Sequence, residues 1–391
     1  MLLTRNVYIK VQSTGFMKSD DFKVTPWEAS ENINYERLVS QFGVEHISEE
    51  LKERIEKISG KHFMLDRKIF FAHRDLKWLL DEYDKGNKFF IYTGRSPSGP
   101  IHIGHLMAWQ FTKFLQDAFD TELWFQFPDE EKFLFKKDLS LEDTQKYLEE
   151  NMLDVIALGF NPKKTHFIIN TKHADLLYPE ACKVAKKITL SMVKSSFGLD
   201  DSSNIGQIFY TSMQAVPAFL PSLIKKKKIP CLIPHAIDQD PHFRLTRDIL
   251  PKLGHHKPAS IQCSFLPPLT GVSGKMSSSK EESTIHTTDS PKEVERKIKK
   301  YAFSGGKDTL EEHRRHGGNP DIDVSFQYLR HMFEPDEKKL RDIYNAYKSG
   351  AMTSGELKQI TINKINEFLK EHQKKRILAK NKIKDFIYKK D

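Results

Sequence analysis

The chain has 391 residues, of which 38% are hydrophobic and 29% charged, so global disorder is excluded and two or three domains are expected. Its net charge of +9 favours a polyanionic partner such as nucleic acid, although solvated basic faces are the alternative explanation. The 3 cysteines are far apart and predict neither a disulfide framework nor a zinc site. Since no apolar run resembles a signal peptide or a membrane span, we expect a cytoplasmic protein without a membrane partner.

Residues 1–85 are predicted to form a mostly helical N-terminal extension. Apolar side chains recur at helical spacing within residues 51–58 and again within residues 76–83. Gly86 and the asparagine after it then break the helical pattern. The next domain is therefore expected to begin near residue 86.

The region after this extension predicts a βαβ unit. Residues 89–92, Phe-Phe-Ile-Tyr, are typical of a buried strand, and a loop rich in Gly, Pro and Ser leads to a helix expected to begin near His102. A second strand is predicted at residues 123–127. Strand, glycine loop, helix and strand indicate a doubly wound parallel sheet, whose ligands bind at the carboxyl ends of the strands. Further strands are predicted at residues 165–169 and 230–234.

The last part of the chain is predicted to be helical and rich in lysine. Pro291 follows a polar segment and begins a mostly helical pattern, so a domain boundary is expected near Ser290. This division gives a sheet domain at residues 86–290 and a helical domain at residues 291–391. The last helix is expected to pack back on the sheet domain.

His-Ile-Gly-His at residues 102–105 has the features of a nucleotide-binding helix start. The glycine-rich turn lets the backbone approach a triphosphate, the helix N-terminus favours negative charge, and Gly104 leaves room for an adenine ring. The imidazoles of His102 and His105 can donate hydrogen bonds to phosphate oxygens as charge grows in the transition state. The alternative is an ordinary packed helix start that happens to contain two histidines.

Lys-Met-Ser-Ser-Ser at residues 275–279 lies in a segment rich in Gly and Ser, with little core character. A flexible loop carrying Lys275 can close over ATP and neutralise its β- and γ-phosphates as pyrophosphate begins to leave. The hydroxyls of Ser277 and Ser279 would add hydrogen-bond donors. By itself the segment is equally a solvated loop, but the two motifs in this order favour adenylate-forming chemistry.

These two motifs are the signatures of the class I aminoacyl-tRNA synthetases, which the sequence resembles. The resemblance is sharpest to the family of eukaryotic-type, cytosolic tryptophanyl-tRNA synthetases and covers nearly the whole chain. It implies a Rossmann-like, doubly wound parallel-sheet α/β catalytic domain with a helical N-terminal extension and an all-helical C-terminal domain. The stretches that carry it are residues 92–95, 126–132, 214–217, 236–241, 302–306 and 317–319.

The resemblance also implies which residues bind tryptophan. An indole N–H in an apolar slot needs a buried acceptor, and Tyr92 and Gln126, at the carboxyl ends of two predicted strands, are expected to provide it. Glu131 and Gln214 are expected to hold the α-amino group, and Gln239 to lie near the carboxylate. Without the resemblance, Tyr92 would be interpreted as a strand-end aromatic residue and Gln126 as an exposed amide.

The implied ATP-binding set is separate from the tryptophan set except for Gln239. Lys132 and Arg95 are expected to face ATP or the adenylate, and Gly104 and Met276 complete the set. The catalytic set is His102, His105, Lys275, Ser277 and Ser279. No metal site is predicted in the protein, because the scattered histidines lack ligand spacing, and Mg²⁺ is expected to arrive with the phosphates of ATP.

The function implied by the resemblance is that of a tryptophan–tRNA ligase. Such an enzyme uses ATP to activate L-tryptophan and transfers it to tRNA(Trp), whose anticodon the helical C-terminal domain would read. The family acts as a homodimer, and the same is expected here. The alternatives are a tyrosyl-tRNA synthetase, a non-synthetase nucleotidyltransferase that shares His-x-Gly-His, and a synthetase-derived RNA-binding protein without catalysis.

Overall fold

The structure is a computed structural model that describes residues 35–276 and 280–390. Seven strands in these residues form one sheet: β1 (Glu45–His46), β2 (Phe70–Arg74), β3 (Phe90–Gly94), β4 (Glu122–Phe127), β5 (Thr165–Ile169), β6 (Cys231–Ala236) and β7 (Ala259–Cys263). Their spatial order is β1-β2-β7-β6-β3-β4-β5. The strands from β7 to β5 are parallel, while β2 pairs antiparallel with β7 and β1 pairs antiparallel with β2. The predicted doubly wound parallel sheet is confirmed, with two antiparallel strands added at one edge.

Helices cover both faces of the sheet and make up most of the C-terminal region. The helices before the first parallel strand are α1 (Tyr35–Phe42), α2 (Glu49–Ser59), α3 (Phe63–Asp66) and α4 (Leu76–Asp84). Those between the parallel strands are α5 (Ile103–Ala118), α6 (Glu131–Phe135), α7 (Leu141–Ala157), α8 (Ala174–Ala185), α9 (Leu190–Phe197), α10 (Ile205–Ala215), α11 (Leu220–Ile224) and α12 (Asp240–Ile249). After β7 follow α13 (Pro291–Tyr301), α14 (Leu310–His316), α15 (Val324–Tyr328), α16 (Glu337–Lys348), α17 (Ser354–Ala379) and α18 (Ile383–Phe386).

All four strands predicted from the sequence are present in the sheet. β5 has the predicted bounds, and the other three differ by one or two residues at their ends. In β3 every side chain before the terminal Gly94 is buried. Such a nearly continuous apolar run is expected of a parallel strand that helices cover on both faces. The strand β7 escaped prediction, because Ala-Ser-Ile-Gln-Cys is fully buried without being an apolar run.

The described part of the N-terminal extension contains two strands besides its helices. α2 and α4 confirm the two helical patterns, but β2 lies between them and extends the sheet. Residues 69–72, Ile-Phe-Phe-Ala, form a short aromatic and apolar run that is buried when it pairs with β7. A local helical pattern on each side therefore concealed a strand whose partner lies far along the chain. Residues 1–34 of the predicted extension lie outside the described residues.

The C-terminal helices pack against the sheet and its covering helices. Asp154 of α7 is hydrogen-bonded to His372 and forms an ion pair with Arg376 of α17, and Phe386 of α18 packs on Phe167 of β5 with ring centroids 5.1 Å apart. One hydrophobic cluster includes side chains from the sheet and from these helices. In the described part of the chain no helix has the length and apolar character needed to cross a membrane.

Candidate active site

A cavity of about 640 Å³ lies at the carboxyl ends of β3 and β6, beside the N-terminus of α5. This is the edge at which parallel sheets with helices on both faces bind their ligands. The structure brings most of the sequence-predicted site residues together there. Those that line the cavity are Arg95, His102, Gly104, His105, Glu131, Lys132, Gln239, Lys275 and Met276.

The two motif histidines form a compact start to α5. Their rings stack with centroids 3.7 Å apart, and the backbone N–H of His102 donates to Nδ1 of His105 at 3.3 Å. Burial holds the pKa of each imidazole well below its ordinary value, and the nearby positive charge of Arg95 adds to the effect. Both rings are therefore neutral near pH 7, so that each can offer one N–H to a phosphate oxygen.

Gly104 allows the second motif to approach the first. A Cβ at this position would lie 3.1 Å from Nδ1 of His102 and 3.3 Å from Sδ of Met276. Both distances are shorter than ordinary van der Waals contact, so any side chain here would displace a motif residue. The glycine thus lets His102 and Met276 pack closely at the helix N-terminus, and room for an adenine ring there stays a prediction.

The loop that precedes His102 is supported from two directions. On one side, Nδ2 of Asn151 in α7 donates to the carbonyl oxygen of Gly99 at 3.1 Å. On the other side, residues 101–103 pair with residues 285–287 through backbone hydrogen bonds of 3.0 and 3.1 Å. The position of the loop therefore depends on segments distant in sequence.

Helix α17 braces both of these supports. Nε2 of Gln373 donates to the carbonyl oxygens of Thr287 and Asp289, at 2.9 and 3.0 Å. One residue earlier, Nε2 of His372 lies 2.8 Å from Oδ1 of Asp154, one helical turn after Asn151 in α7. A single C-terminal helix is thus joined to each segment that holds the histidine loop.

Two lysines of the cavity wall are paired with carboxylates. Nζ of Lys275 lies 2.8 Å from Oδ2 of Asp238, and Nζ of Lys132 lies 2.8 Å from Oε1 of Glu131. Burial alone would raise the pKa of Glu131, but the positive charge of Lys132 lowers it below its ordinary value. Glu131 is therefore ionised near pH 7 and can receive a positively charged group.

Tyr92, Gln126 and Gln214 form a buried hydrogen-bonded cluster next to the cavity. The Tyr92 hydroxyl donates to Oε1 of Gln126 at 2.6 Å and accepts from Nε2 of Gln214 at 3.0 Å. The Tyr210 hydroxyl donates to Oε1 of Gln214 at 2.6 Å and also interacts with Glu131 in the cavity wall. Burial raises the pKa of Tyr92 well above its ordinary value, so its hydroxyl remains a donor. Of the five residues expected to bind tryptophan, Gln126 and Gln214 are thus each bonded to Tyr92. The cavity lining includes Glu131 and Gln239 but not these three.

A family model of the class I tRNA synthetases for tryptophan and tyrosine (W and Y) matches residues 84–370 of this chain. The chain belongs to the class I tRNA synthetases. This synthetase also resembles individual proteins along nearly its full length. The tryptophan–tRNA ligase of Sulfurisphaera tokodaii is 51% identical over 372 residues, which cover 95% of this chain and 96% of that ligase.

Two further proteins support the same relationship. The tryptophan–tRNA ligase of Pyrococcus furiosus is 47% identical over 371 residues, or 94% of each chain. The crystal structure of Plasmodium falciparum tryptophanyl-tRNA synthetase superposes with a TM-score of 0.85 at 43% identity, over 91% of this synthetase and 98% of that chain. Since both archaea and Plasmodium provide relatives, the eukaryotic-type subdivision stays a prediction.

The predicted site residues did not include three polar residues that contact them directly or through one another. Asp238 is the ion-pair partner of Lys275, Asn170 contacts the Gln126 amide, and Glu130 contacts Asn170. Asn170 directly follows the predicted strand β5, so the rule that ligands bind at strand ends could have identified it. Glu130 lies within residues 126–132, but its role depends on a contact that only the fold creates.

Two predicted catalytic residues of the synthetase, Ser277 and Ser279, lie outside the described residues. Within the residues that the structure describes, no group of three or more His, Cys, Asp or Glu side chains is arranged to hold a metal ion. The three cysteines are free thiols, with Cys231 and Cys263 buried and Cys182 exposed.

Proposed function

We propose that this synthetase is a tryptophan–tRNA ligase. It would use ATP to convert L-tryptophan into tryptophanyl-adenylate and pyrophosphate, and then transfer the tryptophanyl group to tRNA(Trp). The observation that carries the proposal is the buried Tyr92–Gln126 pair next to a cavity lined by His102, His105 and Lys275. The near full-length similarity to tryptophan–tRNA ligases supports the same substrate.

The proposed amino-acid site matches the chemistry of an indole. An indole N–H is a donor without acceptor capacity, and Oε1 of Gln126 and the Tyr92 hydroxyl oxygen can accept from it. Phenylalanine would leave these buried polar atoms without a substrate partner, and a site built to pair a polar group discriminates strongly against such an analogue. Glu131 is ionised beside Lys132, so its carboxylate suits the α-ammonium group of the substrate. Gln214 lies close by and is hydrogen-bonded to Tyr210.

The activation step requires no protein nucleophile. A carboxylate oxygen of tryptophan attacks the α-phosphorus of ATP, the bond from that phosphorus to the bridging oxygen breaks, and pyrophosphate leaves with the electron pair. A ribose hydroxyl of the terminal adenosine of the tRNA then attacks the activated carbonyl carbon, and AMP leaves. The protein contributes orientation and charge stabilisation.

The phosphate side of the cavity provides this stabilisation. The neutral rings of His102 and His105 donate N–H groups near the N-terminus of α5, where the helix dipole also favours anions. Lys275 can exchange its contact with Asp238 for the leaving pyrophosphate, so that its charge acts when the reaction needs it. Mg²⁺ would be carried by the ATP phosphates.

The remaining proposals concern assembly, location and domains. A homodimer is proposed from the resemblance to the family, with its interface at exposed apolar side chains on three neighbouring helices: Tyr178 of α8 is 58% exposed, Leu190 of α9 48% and Ile205 of α10 83%. The mass of the protein in solution tests this assignment. Free thiols fit the reducing cytoplasm. Residues 1–85, 86–290 and 291–391 are proposed as extension, catalytic and anticodon-binding regions.

The substrate proposal is tested by exchange of labelled pyrophosphate into ATP. We expect exchange with tryptophan and little or none with tyrosine or phenylalanine at equal concentration. Exchange driven by tyrosine would contradict the substrate and favour the tyrosine branch of the family. If no amino acid supports pyrophosphate exchange, the result would favour a protein that has lost catalysis.

A further inference from the structure

Gln126 belongs to a buried chain of hydrogen bonds that continues away from the cavity. Its Nε2 donates to Oδ1 of Asn170 at 2.9 Å, and Nδ2 of Asn170 donates to Oε1 of Glu130 at 2.7 Å. At the other end, the Tyr92 hydroxyl donates to Oε1 of Gln126. Gln126 and Asn170 are each 1% exposed, so bulk water does not replace these partners.

Backbone pairing fixes the spacing of this chain. Gln126 in β4 lies opposite Ile168 in β5, and the backbone N–H of Asn170 donates to the carbonyl oxygen of Phe127 at 3.1 Å. The two amides are thus held at the ends of adjacent strands, Gln126 within β4 and Asn170 directly after β5. Their contact follows from the register of the sheet and does not require a mobile loop.

The carboxylate of Glu130 decides the direction of the hydrogen bonds. A side-chain amide has a donor end and an acceptor end, and two amides in series can satisfy each other in either of two opposite orientations. An ionised carboxylate only accepts, so it holds Nδ2 of Asn170 toward itself. Oδ1 of Asn170 then faces Gln126, whose Nε2 turns toward it and whose Oε1 is left facing Tyr92.

We propose that Asn170 and Glu130 are positioning residues for amino-acid recognition, which hold the Gln126 amide with its oxygen toward the substrate. The proposal rests on the proposed tryptophan function, because an indole N–H requires an acceptor. If the chain reversed, the Gln126 amide would present its Nε2, and two donors would face each other. Asn170 and Glu130 act through Gln126 and do not line the cavity.

Protonation of Glu130 would weaken its effect on the orientation of the Gln126 amide. Burial raises the pKa of Glu130 to about 7, and the adjacent carboxylates of Asp129 and Glu131 add to the increase. Two further titratable groups face this region. Tyr210 on α10 interacts with Glu130 and Glu131, and burial raises its pKa well above its ordinary value. His242 on α12 interacts with Glu131, and burial lowers its pKa to about 4. Lys132 contributes a positive charge through its pair with Glu131.

We expect tryptophan binding to weaken as the pH falls, because the ionised form of Glu130 is the form that orients the Gln126 amide. Below the pKa of Glu130 the carboxyl group carries a proton and no longer acts only as an acceptor. If only the ionised form holds Gln126 correctly, KM for tryptophan rises about tenfold between pH 8 and pH 6, because the apparent affinity scales with the competent fraction. KM for ATP is not expected to follow this trend, since Glu130 contacts the amino-acid side.

The test measures KM for tryptophan and for ATP separately, by pyrophosphate exchange, in full-length variants between pH 6 and pH 8.5. Asn170→Ala is expected to raise KM for tryptophan about tenfold and to leave KM for ATP within about twofold. Glu130→Gln is expected to raise KM for tryptophan at pH 8 and to abolish its pH dependence. Since the raised pKa of Glu130 makes its ionisation destabilising above pH 7, this variant should fold at least as stably as the wild type at pH 8.

A matched control removes a buried amide elsewhere. Gln116 is 2% exposed, and its Nε2 donates to Oγ1 of Thr165 at 2.9 Å, at the opposite end of β5. Gln116→Ala should lower the melting temperature as Asn170→Ala does, without changing KM for tryptophan. A general loss of stability is thereby separated from a loss of amide positioning.

An exchange of the two side chains provides a rescue. Asn170→Asp alone brings two carboxyl groups together and removes the donor that Glu130 requires, so tryptophan binding should weaken. Combined with Glu130→Gln, the introduced amide can donate to the introduced carboxylate, which again accepts from Gln126. The double variant should bind tryptophan better than either single variant, as a positive coupling energy in the double-mutant cycle.

The proposal is overturned if folded Asn170→Ala and Glu130→Gln retain the wild-type KM for tryptophan, or if KM for both substrates rises equally. It is also overturned if the double variant shows no coupling. Any of these outcomes leaves the proposed function intact, provided that the wild-type protein catalyses pyrophosphate exchange with tryptophan. Wild-type exchange with tyrosine instead would remove the function itself.

Discussion

The two sides of the cavity differ in how their polar groups are satisfied. On the proposed amino-acid side, Tyr92 and Gln126 are at most 1% exposed and are hydrogen-bonded to each other, and Gln126 is also bonded to Asn170. On the phosphate side, the Lys275 side chain is 29% exposed and pairs with Asp238 across the cavity wall. The first side is organised before the substrate arrives, whereas the second must exchange one ionic partner for another. Selection of the amino acid and acceleration of the reaction are therefore assigned to different parts of the site.

The largest effect is expected from Lys275→Ala. Loss of a charge that acts on the leaving pyrophosphate should reduce kcat for pyrophosphate exchange by about 10²–10³-fold, the range for a transition-state donor. KM for tryptophan should change little, because the amino-acid cluster does not include Lys275. Steady-state exchange kinetics provide both parameters. A variant with normal kcat and a raised KM for ATP would mean that Lys275 binds the ground state, which would break the contrast between the two sides.

An intermediate effect is expected from Tyr92→Phe. The substitution removes the hydroxyl that donates to Gln126 and accepts from Gln214, and leaves buried amide atoms unpaired. Binding of tryptophan should weaken by about 1–3 kcal/mol, while KM for ATP stays near the wild-type value. Equilibrium titration of tryptophan measures this directly. Unchanged affinity would remove Tyr92 from the amino-acid side.

The smallest effect is expected from Asn151→Ala, which tests the phosphate side by removing a hydrogen bond to the loop before His102. The variant loses the hydrogen bond to the Gly99 carbonyl, worth about 1 kcal/mol, so KM for ATP should rise about fivefold. KM for tryptophan should remain within about twofold, opposite to the pattern for Tyr92→Phe. If Asn151→Ala and Tyr92→Phe each raise KM for both ATP and tryptophan, the two sides of the cavity are coupled and do not act separately.

The parts of the site that the sequence predicted are those with a local chemical pattern. His102 and His105 lie in one helix start, and Lys275 follows a glycine in a short polar segment, so neighbouring residues suffice to identify them. The resemblance to a family added Tyr92, Gln126 and Gln214, which the fold brings into contact. Residue types alone would not have assigned those roles.

The parts that escaped prediction depend on pairing between distant segments. Asn170 meets Gln126 because of the register between β4 and β5, which single-sequence patterns do not specify. β2 and β7 pair with each other although far apart in the chain, and neither was predicted. The Lys275–Asp238 contact joins a loop to the short 3-10 helix after β6 in the same way. Long-range pairing, rather than residue type, set the limit of the sequence-based predictions.

The hydrogen bonds from α17 to the segments beside the His102 loop have a consequence for biosynthesis. A ribosome makes the chain from its N-terminus, so the His102 loop emerges long before Gln373 and His372, which secure the segments beside it. A nascent or prematurely terminated chain can therefore contain every motif of the nucleotide site without the helix that holds the first motif in place. Activation of an amino acid becomes a property of the finished polypeptide, and a shortened product of translation is not expected to consume ATP.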